Sequence, residues 1–102
     1  MLKTFRTYQL AVQFYRRART LQLPSGLTDQ LRRAASSVAL NLAEGSGKTS
    51  RKDQLRFYEI ALGSLRECEA ILDLAELSST ELGKQLDLLA RHLFSLCRVL
   101  KH

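Results

Sequence analysis

A chain of 102 residues fills one domain, and at that size folding removes roughly 60 to 70% of the unfolded chain's surface from water. An apolar share of 45% and a charged share of 25% exclude the disordered and membrane classes, because no stretch nears the roughly 18 apolar residues of a membrane span. The net charge of +6 is uneven: residues 1–56 hold eleven Lys and Arg against three Asp and Glu, a net of +8, whereas residues 57–102 hold five against seven, a net of −2.

Four helical segments are predicted, at about 4–21, 28–45, 51–77 and 79–100. In the first, Phe5, Tyr8, Val12 and Tyr15 recur at spacings of three and four, flanked by Ala11, Phe14 and Ala18. It closes at Leu23-Pro24-Ser25-Gly26, where Pro24 disfavours helix before it and Gly26 permits a turn. Lys3, Arg6 and Gln9 interrupt any apolar run at the start, so no secretory leader is expected and the chain is placed in the cytoplasm.

Thr28 is the predicted N-cap of the second helix, with Asp29 in its first turn to suit the positive end of the dipole. Leu31, Ala34, Ala35, Val38 and Leu42 make a face of mostly small residues, which lets a neighbouring helix approach closely. Gly45-Ser46-Gly47 ends it, glycine being free to take a left-handed cap. The same residues, with Lys48 and Thr49, end like a phosphate-binding P-loop. That motif needs a glycine where Leu42 stands and a strand leading in, so no nucleotide site is expected.

Ser50 followed by Asp53 opens the third helix. Two apolar stripes run along it, one through Leu55, Tyr58, Leu62, Leu65 and Leu72, the other through Phe57, Ala61, Cys68, Ile71 and Ala75. Ser78 with Glu81 reads as a capping box for the fourth helix, where Leu82, Leu86, Leu89, Leu93, Leu96 and Leu100 alternate at spacings of four and three. Short connections between four helices predict an all-α, antiparallel up-down-up-down bundle. The second stripe and the leucine seam together exceed what one bundle hides, so self-association is expected.

Catalytic and metal chemistry find no ligand set. Di-iron bundles need Glu-x-x-His pairs, and neither His92 nor His102 follows a Glu by three. Cys68 and Cys97 sit within leucine-rich helical pattern, as buried thiols of a reducing cytosol do. No nucleophile has an oriented base. The chain is therefore read as a non-enzyme without metal, cofactor or small-molecule substrate.

The basic residues remain. Arg16, Arg17 and Arg19 end the first helix, Arg32 and Arg33 begin the second, and Lys48, Arg51, Lys52 and Arg56 surround the start of the third. They form two patches or one long stripe, suited to phosphate because a guanidinium bonds two oxygens at once. RNA or DNA is the expected partner, against a solvated face on a protein scaffold. A polar set, Ser37, Asn41 and Glu44 with Ser64 and Glu67, falls at shared-face spacings. It forms a hydrogen-bonded layer, a subunit contact or plain surface.

Three runs together have a family likeness: Gly26-Leu27-Thr28-Asp29-Gln30-Leu31-Arg32-Arg33-Ala34-Ala35; Asn41-Leu42-Ala43-Glu44-Gly45 with Ser50-Arg51-Lys52; and Phe57 with Ile60-Ala61-Leu62-Gly63-Ser64-Leu65-Arg66-Glu67. They resemble the four-helix bundle proteins of the 23S rRNA intervening-sequence family, closely over residues 26–68 and in helical pattern elsewhere. The resemblance implies a bacterial protein assembling as a ring-like homopentamer, encoded within intervening sequences of 23S rRNA genes. It also implies kinship with the accessory variability protein of diversity-generating retroelements, a basic pentamer that works with a reverse transcriptase and nucleic acid. Members often carry a proline in mid-helix two, where this chain reads Val38-Ala39-Leu40. A straighter helix follows from that departure.

Overall fold

A computed structural model describes residues 2–102. After a 3-10 turn at Leu2–Thr4 come four α-helices: α1 Arg6–Ala18, α2 Leu27–Ser46, α3 Arg51–Leu74 and α4 Glu81–Lys101. The described residues contain no strand.

Each helix boundary has a local cause. α1 stops at Ala18, three residues short of the expected Leu21, because the Thr20 and Leu21 amides turn to the nearer carbonyls of Arg17 and Ala18 at 3.3 and 3.1 Å, and the Thr20 hydroxyl donates to the Arg17 carbonyl at 2.8 Å. Thr28 is not the cap of α2. Its hydroxyl accepts from the Leu23 amide at 2.8 Å and donates to the Leu23 carbonyl at 3.1 Å, closing the connecting loop. Gly26 takes the capping position at φ +77°, a left-handed conformation that needs no side chain to be removed. α2 then runs unbroken for 20 residues. It ends at a right-handed Gly47 (φ −88°), so the expected left-handed glycine cap is absent there. Gly45 has a different role: a Cβ on it would lie 2.6 Å from Tyr58 Cε1, so the missing side chain lets α2 seat against the start of α3.

Ser50 caps α3 as expected, accepting from the Asp53 amide at 3.1 Å. α3 closes at Leu74, before the expected Leu77, in a two-bond turn: the Leu77 amide reaches the Leu72 carbonyl at 2.8 Å and the Glu76 amide reaches Asp73 at 3.0 Å. Glu76 holds the left-handed position at φ +58°, where glycine is usual. That turn occupies the chain through Leu77, so Ser78 does not cap α4. Thr80 does, accepting from the Gly83 amide at 3.4 Å, and the Ser78 carbonyl presses where a Gly83 Cβ would stand.

The core lies along the common axis. Leu10 and Phe14 of α1, Leu31, Val38 and Leu42 of α2, Tyr58, Leu65 and Cys68 of α3, and Leu86, Leu89 and Leu93 of α4 are almost wholly enclosed. α2 and α3 make the most extensive pairing, as the small face of α2 allows. The two stripes expected on α3 merge into one broad face: Tyr58, Ala61, Leu65, Cys68, Ile71 and Leu72 are buried, and Leu55, Leu62 and Phe57 flank them half-buried. On α4 the seam leaves the leucine pattern after Leu93 and passes through Cys97, with Leu96 half-buried, because a straight helix drifts from a seven-residue repeat. The chain's own helices thus cover the surfaces expected to drive self-association. The large apolar side chains left exposed are others: Leu40, Ile60, Leu74, Phe94 and Val99.

Candidate nucleic-acid interface

The predicted basic residues divide between the two ends of the molecule. At one end Arg16 and Arg17 stand on the last turn of α1, Arg19 follows it, and Arg32 and Arg33 stand on the early turns of α2, all exposed. The group is drawn together by Arg32, whose Nη2 donates to the Arg19 carbonyl at 3.2 Å while Nη1 lies 3.9 Å from the Asp29 carboxylate. Lys48, Arg51, Lys52 and Arg56 gather at the other end. From Arg32 to the end of α2 at Ser46 the helix rises about 21 Å, so the two groups are separate patches.

The second patch is the more structured. Lys48 Nζ is 3.2 Å from the Glu44 carboxylate and 5.1 Å from the centre of the Phe57 ring, and the Arg56 guanidinium lies over the same ring at 4.4 Å. Half-buried Phe57 is therefore a shared platform for two cations, whose attraction to the ring holds them without neutralising them. Arg51 reaches across to α4, where Nη2 donates to the Val99 carbonyl at 2.9 Å, supplying a partner to the carbonyl end of that helix. Lys52 is exposed and, among the described residues, in no ion pair.

Part of the predicted polar set assembles. Ser37 Oγ and Ser64 Oγ are 2.8 Å apart between α2 and α3, and Asn41 Nδ2 donates to the Ser37 carbonyl at 2.9 Å and to Ser37 Oγ at 3.1 Å. Glu44 turns away to Lys48, and Glu67 is exposed, so neither joins the layer. Above the layer Leu40 stands one turn beyond Ser37 and Ile60 one turn before Ser64, both exposed.

Dividing charge by halves of the chain missed the basic residues of α4. Arg91 and Arg98 line a groove with the exposed ring of Phe94, and Arg98 also borders a depression with Arg51 of the second patch, whereas Lys101, one turn on, is ion-paired with Glu59 at 3.3 Å. The signal was present as the spacing of three and four through Arg91, Phe94 and Arg98. Seven acidic residues in the same half of the chain outweighed it in the sum.

Cys68 and Cys97 are free and buried. Burial first, and then the nearby Glu67 and Glu69 carboxylates, push the Cys68 thiol up to about 12, so it is protonated at neutral pH. Burial and the Glu59 carboxylate raise Cys97, against a smaller opposing effect of Lys101. Among the described residues no three His, Cys, Asp or Glu side chains come together, and no helix is long and apolar enough to cross a membrane.

No curated protein matches the chain. The family description "23S rRNA-intervening sequence protein" matches residues 3–102, nearly the whole length. A four-helix, all-α protein with basic ends, matched by that family from Lys3 to its last residue, is a member of the 23S rRNA-intervening sequence protein family.

Proposed function

We propose that the protein is a non-catalytic, oligomeric accessory protein of the cytoplasm that binds nucleic acid through its basic ends, with little preference for sequence. One observation carries the reading. Of the nine residues Arg16, Arg17, Arg19, Arg32, Arg33, Lys48, Arg51, Lys52 and Arg56, only Arg32 and Lys48 are ion-paired among the described residues, and the other seven are exposed with uncompensated charge. A surface kept merely soluble intersperses both signs. Arginines grouped at an end offer forked donors to phosphate oxygens. The family's description, with its reference to ribosomal RNA, supports the same partner.

The helices are read as an up-down-up-down bundle. Supporting this order, Ser37 faces Ser64 while Gly45, further along α2, faces Tyr58, earlier on α3. Leu40 and Ile60, exposed beside the Ser37–Ser64 pair, are the surface through which copies would close into a ring of five. Repetition around an axis multiplies the field of each basic patch.

The test is binding of a labelled RNA oligonucleotide across a salt series. Each phosphate contact adds roughly 0.7 to 0.9 to the slope of log affinity against log salt. Arg17→Gln, Arg33→Gln and Lys52→Gln combined should flatten that slope and leave the helical spectrum unchanged. Binding indifferent to salt would replace this reading with the protein scaffold, and a triple variant that binds like the parent with the salt slope intact would remove the basic ends as the interface. Sedimentation velocity tests the ring, the expected species being about five times the 11.6 kDa chain.

A further inference from the structure

Between α3 and α4 runs a shallow groove lined by Arg66, Arg91, Phe94 and Arg98, and Arg98 also borders a second depression with Arg51 and His102. Joined at Arg98, the two form one track along the outside of the bundle, and no acidic side chain lines either part. Arg91 and Arg98 stand two turns apart on α4, a rise of about 10.5 Å, and neither is ion-paired among the described residues. Between them Phe94 is 52% exposed. A large ring half in water, flanked along one helix by free guanidiniums, offers a flat stacking face beside forked donors for phosphate.

We infer that this track takes a single strand of RNA, with an unpaired base stacked on Phe94 and phosphates on Arg91, Arg98 and Arg51. The inference rests on the nucleic-acid reading above and adds to it a strand type and a site that extends from Arg51 of one basic end to Arg91, Phe94 and Arg98 of α4. Three physical reasons select this occupant. A duplex offers phosphates to the arginines but keeps its base faces inside its own stack, leaving Phe94 uncovered. An unpaired base has a free π-face that any aromatic ring can accept, whatever its sequence. An acidic protein segment would satisfy the guanidiniums yet gain little from a flat ring. Arg51 is positioned for its part, because its bond to the Val99 carbonyl brings the start of α3 to the end of α4.

The experiment compares an unstructured oligouridylate with a fully paired RNA hairpin of equal phosphate number, each titrated across a salt series. The single strand should bind about tenfold more tightly. Phe94→Ala should lose about tenfold in affinity for it, the scale of one stacked base, with the salt slope unchanged. Phe94→Trp, which keeps a stacking face, should bind at least as well as the parent. Arg91→Gln with Arg98→Gln should lower the slope by about 1.4, two single-strand phosphate contacts at roughly 0.7 each. Irradiating an iodouridine-substituted strand on the parent protein should cross-link it to Phe94, a readout that no folding defect can imitate. Equal affinity for hairpin and single strand, or a Phe94→Ala variant that binds like the parent while the salt slope persists, overturns the track and leaves the basic ends as the interface. Salt-independent binding removes the nucleic-acid reading and the track together. If polyglutamate loses as much affinity as RNA does on Phe94→Ala, the surface takes an acidic protein segment, and the inference falls.

Discussion

Gly45→Ala should destabilise the protein although it replaces a helical glycine with the best helix former. The added Cβ would lie 2.6 Å from Tyr58 Cε1, 2.9 Å from Cδ1 and 3.2 Å from Phe57 Cβ, all well inside van der Waals contact. Tyr58 cannot swing clear: it is 4% exposed, and its ring leans on that of Phe5 with centres 6.0 Å apart. Overpacking of this kind costs about 1–3 kcal/mol. Replacing glycine would return up to about 1 kcal/mol in mid-helix and less here, one residue before the end of α2. The net loss is about 1–2 kcal/mol, which for a domain of this size lowers Tm by roughly 5–15 °C. Thermal melts followed by far-ultraviolet circular dichroism, run at one protein concentration because an oligomer's Tm depends on it, read that shift. Tyr58→Leu removes the ring edge, so in that background Gly45→Ala should cost much less, and the coupling should appear in the double-mutant cycle. A Gly45→Ala protein that melts at or above the parent temperature would refute the docking of α2 on α3. With it would go the placement of Lys48 and Arg56 around Phe57.

Glu76→Gly should stabilise by about 0.5–1 kcal/mol and raise Tm by a few degrees, since it relieves a left-handed residue at φ +58° and keeps both bonds of the turn. Gly63→Ala, exposed mid-helix with nothing within 4 Å of its Cβ, should also raise Tm; if sedimentation shows the variant dissociating, a second copy packs on that face beside Ile60. Leu93→Asp buries a charge without a partner in a fully enclosed position and should unfold the protein or cost several kcal/mol, seen as a lost or strongly lowered melt. Cys68 sets an alkaline limit. Its folded thiol keeps its proton up to about 12 while an ordinary one releases it near 9.0, so stability is intact below pH 9 and falls as pH climbs between those values. Denaturant titrations should show that decline, shallower in Cys68→Ala.

The fold class and the four segments were legible because they depend on neighbours three and four residues away. Apolar spacing marked the helices, Pro24 with Gly26 and the Gly45–Gly47 pair marked two of the breaks, and Ser50 three residues before Asp53 marked a cap that the structure contains. The caps that differ from the sequence expectation depend on neighbouring turns. Thr80 replaced Ser78 because the left-handed Glu76 turn used the chain up to Leu77, and Gly26 replaced Thr28 because the threonine hydroxyl was drawn to Leu23.

The basic surface shows the same division. That Arg16, Arg17, Arg19, Arg32 and Arg33 would share an end follows from a short connection between two helices, and the sequence contains it. That Arg51 meets Val99, 48 residues away, and so shares a depression with Arg98, is decided only when α4 packs against α3. Summing charge along the chain cannot find such a site, because the acidic residues of α3 and early α4 are counted in the same half of the sequence as Arg91 and Arg98, whereas in the structure Glu59 and Glu69 pair with Lys101 and Arg66 and leave Arg91 and Arg98 unpaired among the described residues. Local sequence determined which helices form and which faces they bury. Packing between residues distant in the chain determined which charges become neighbours, because electrostatic fields act through space and take no account of sequence separation.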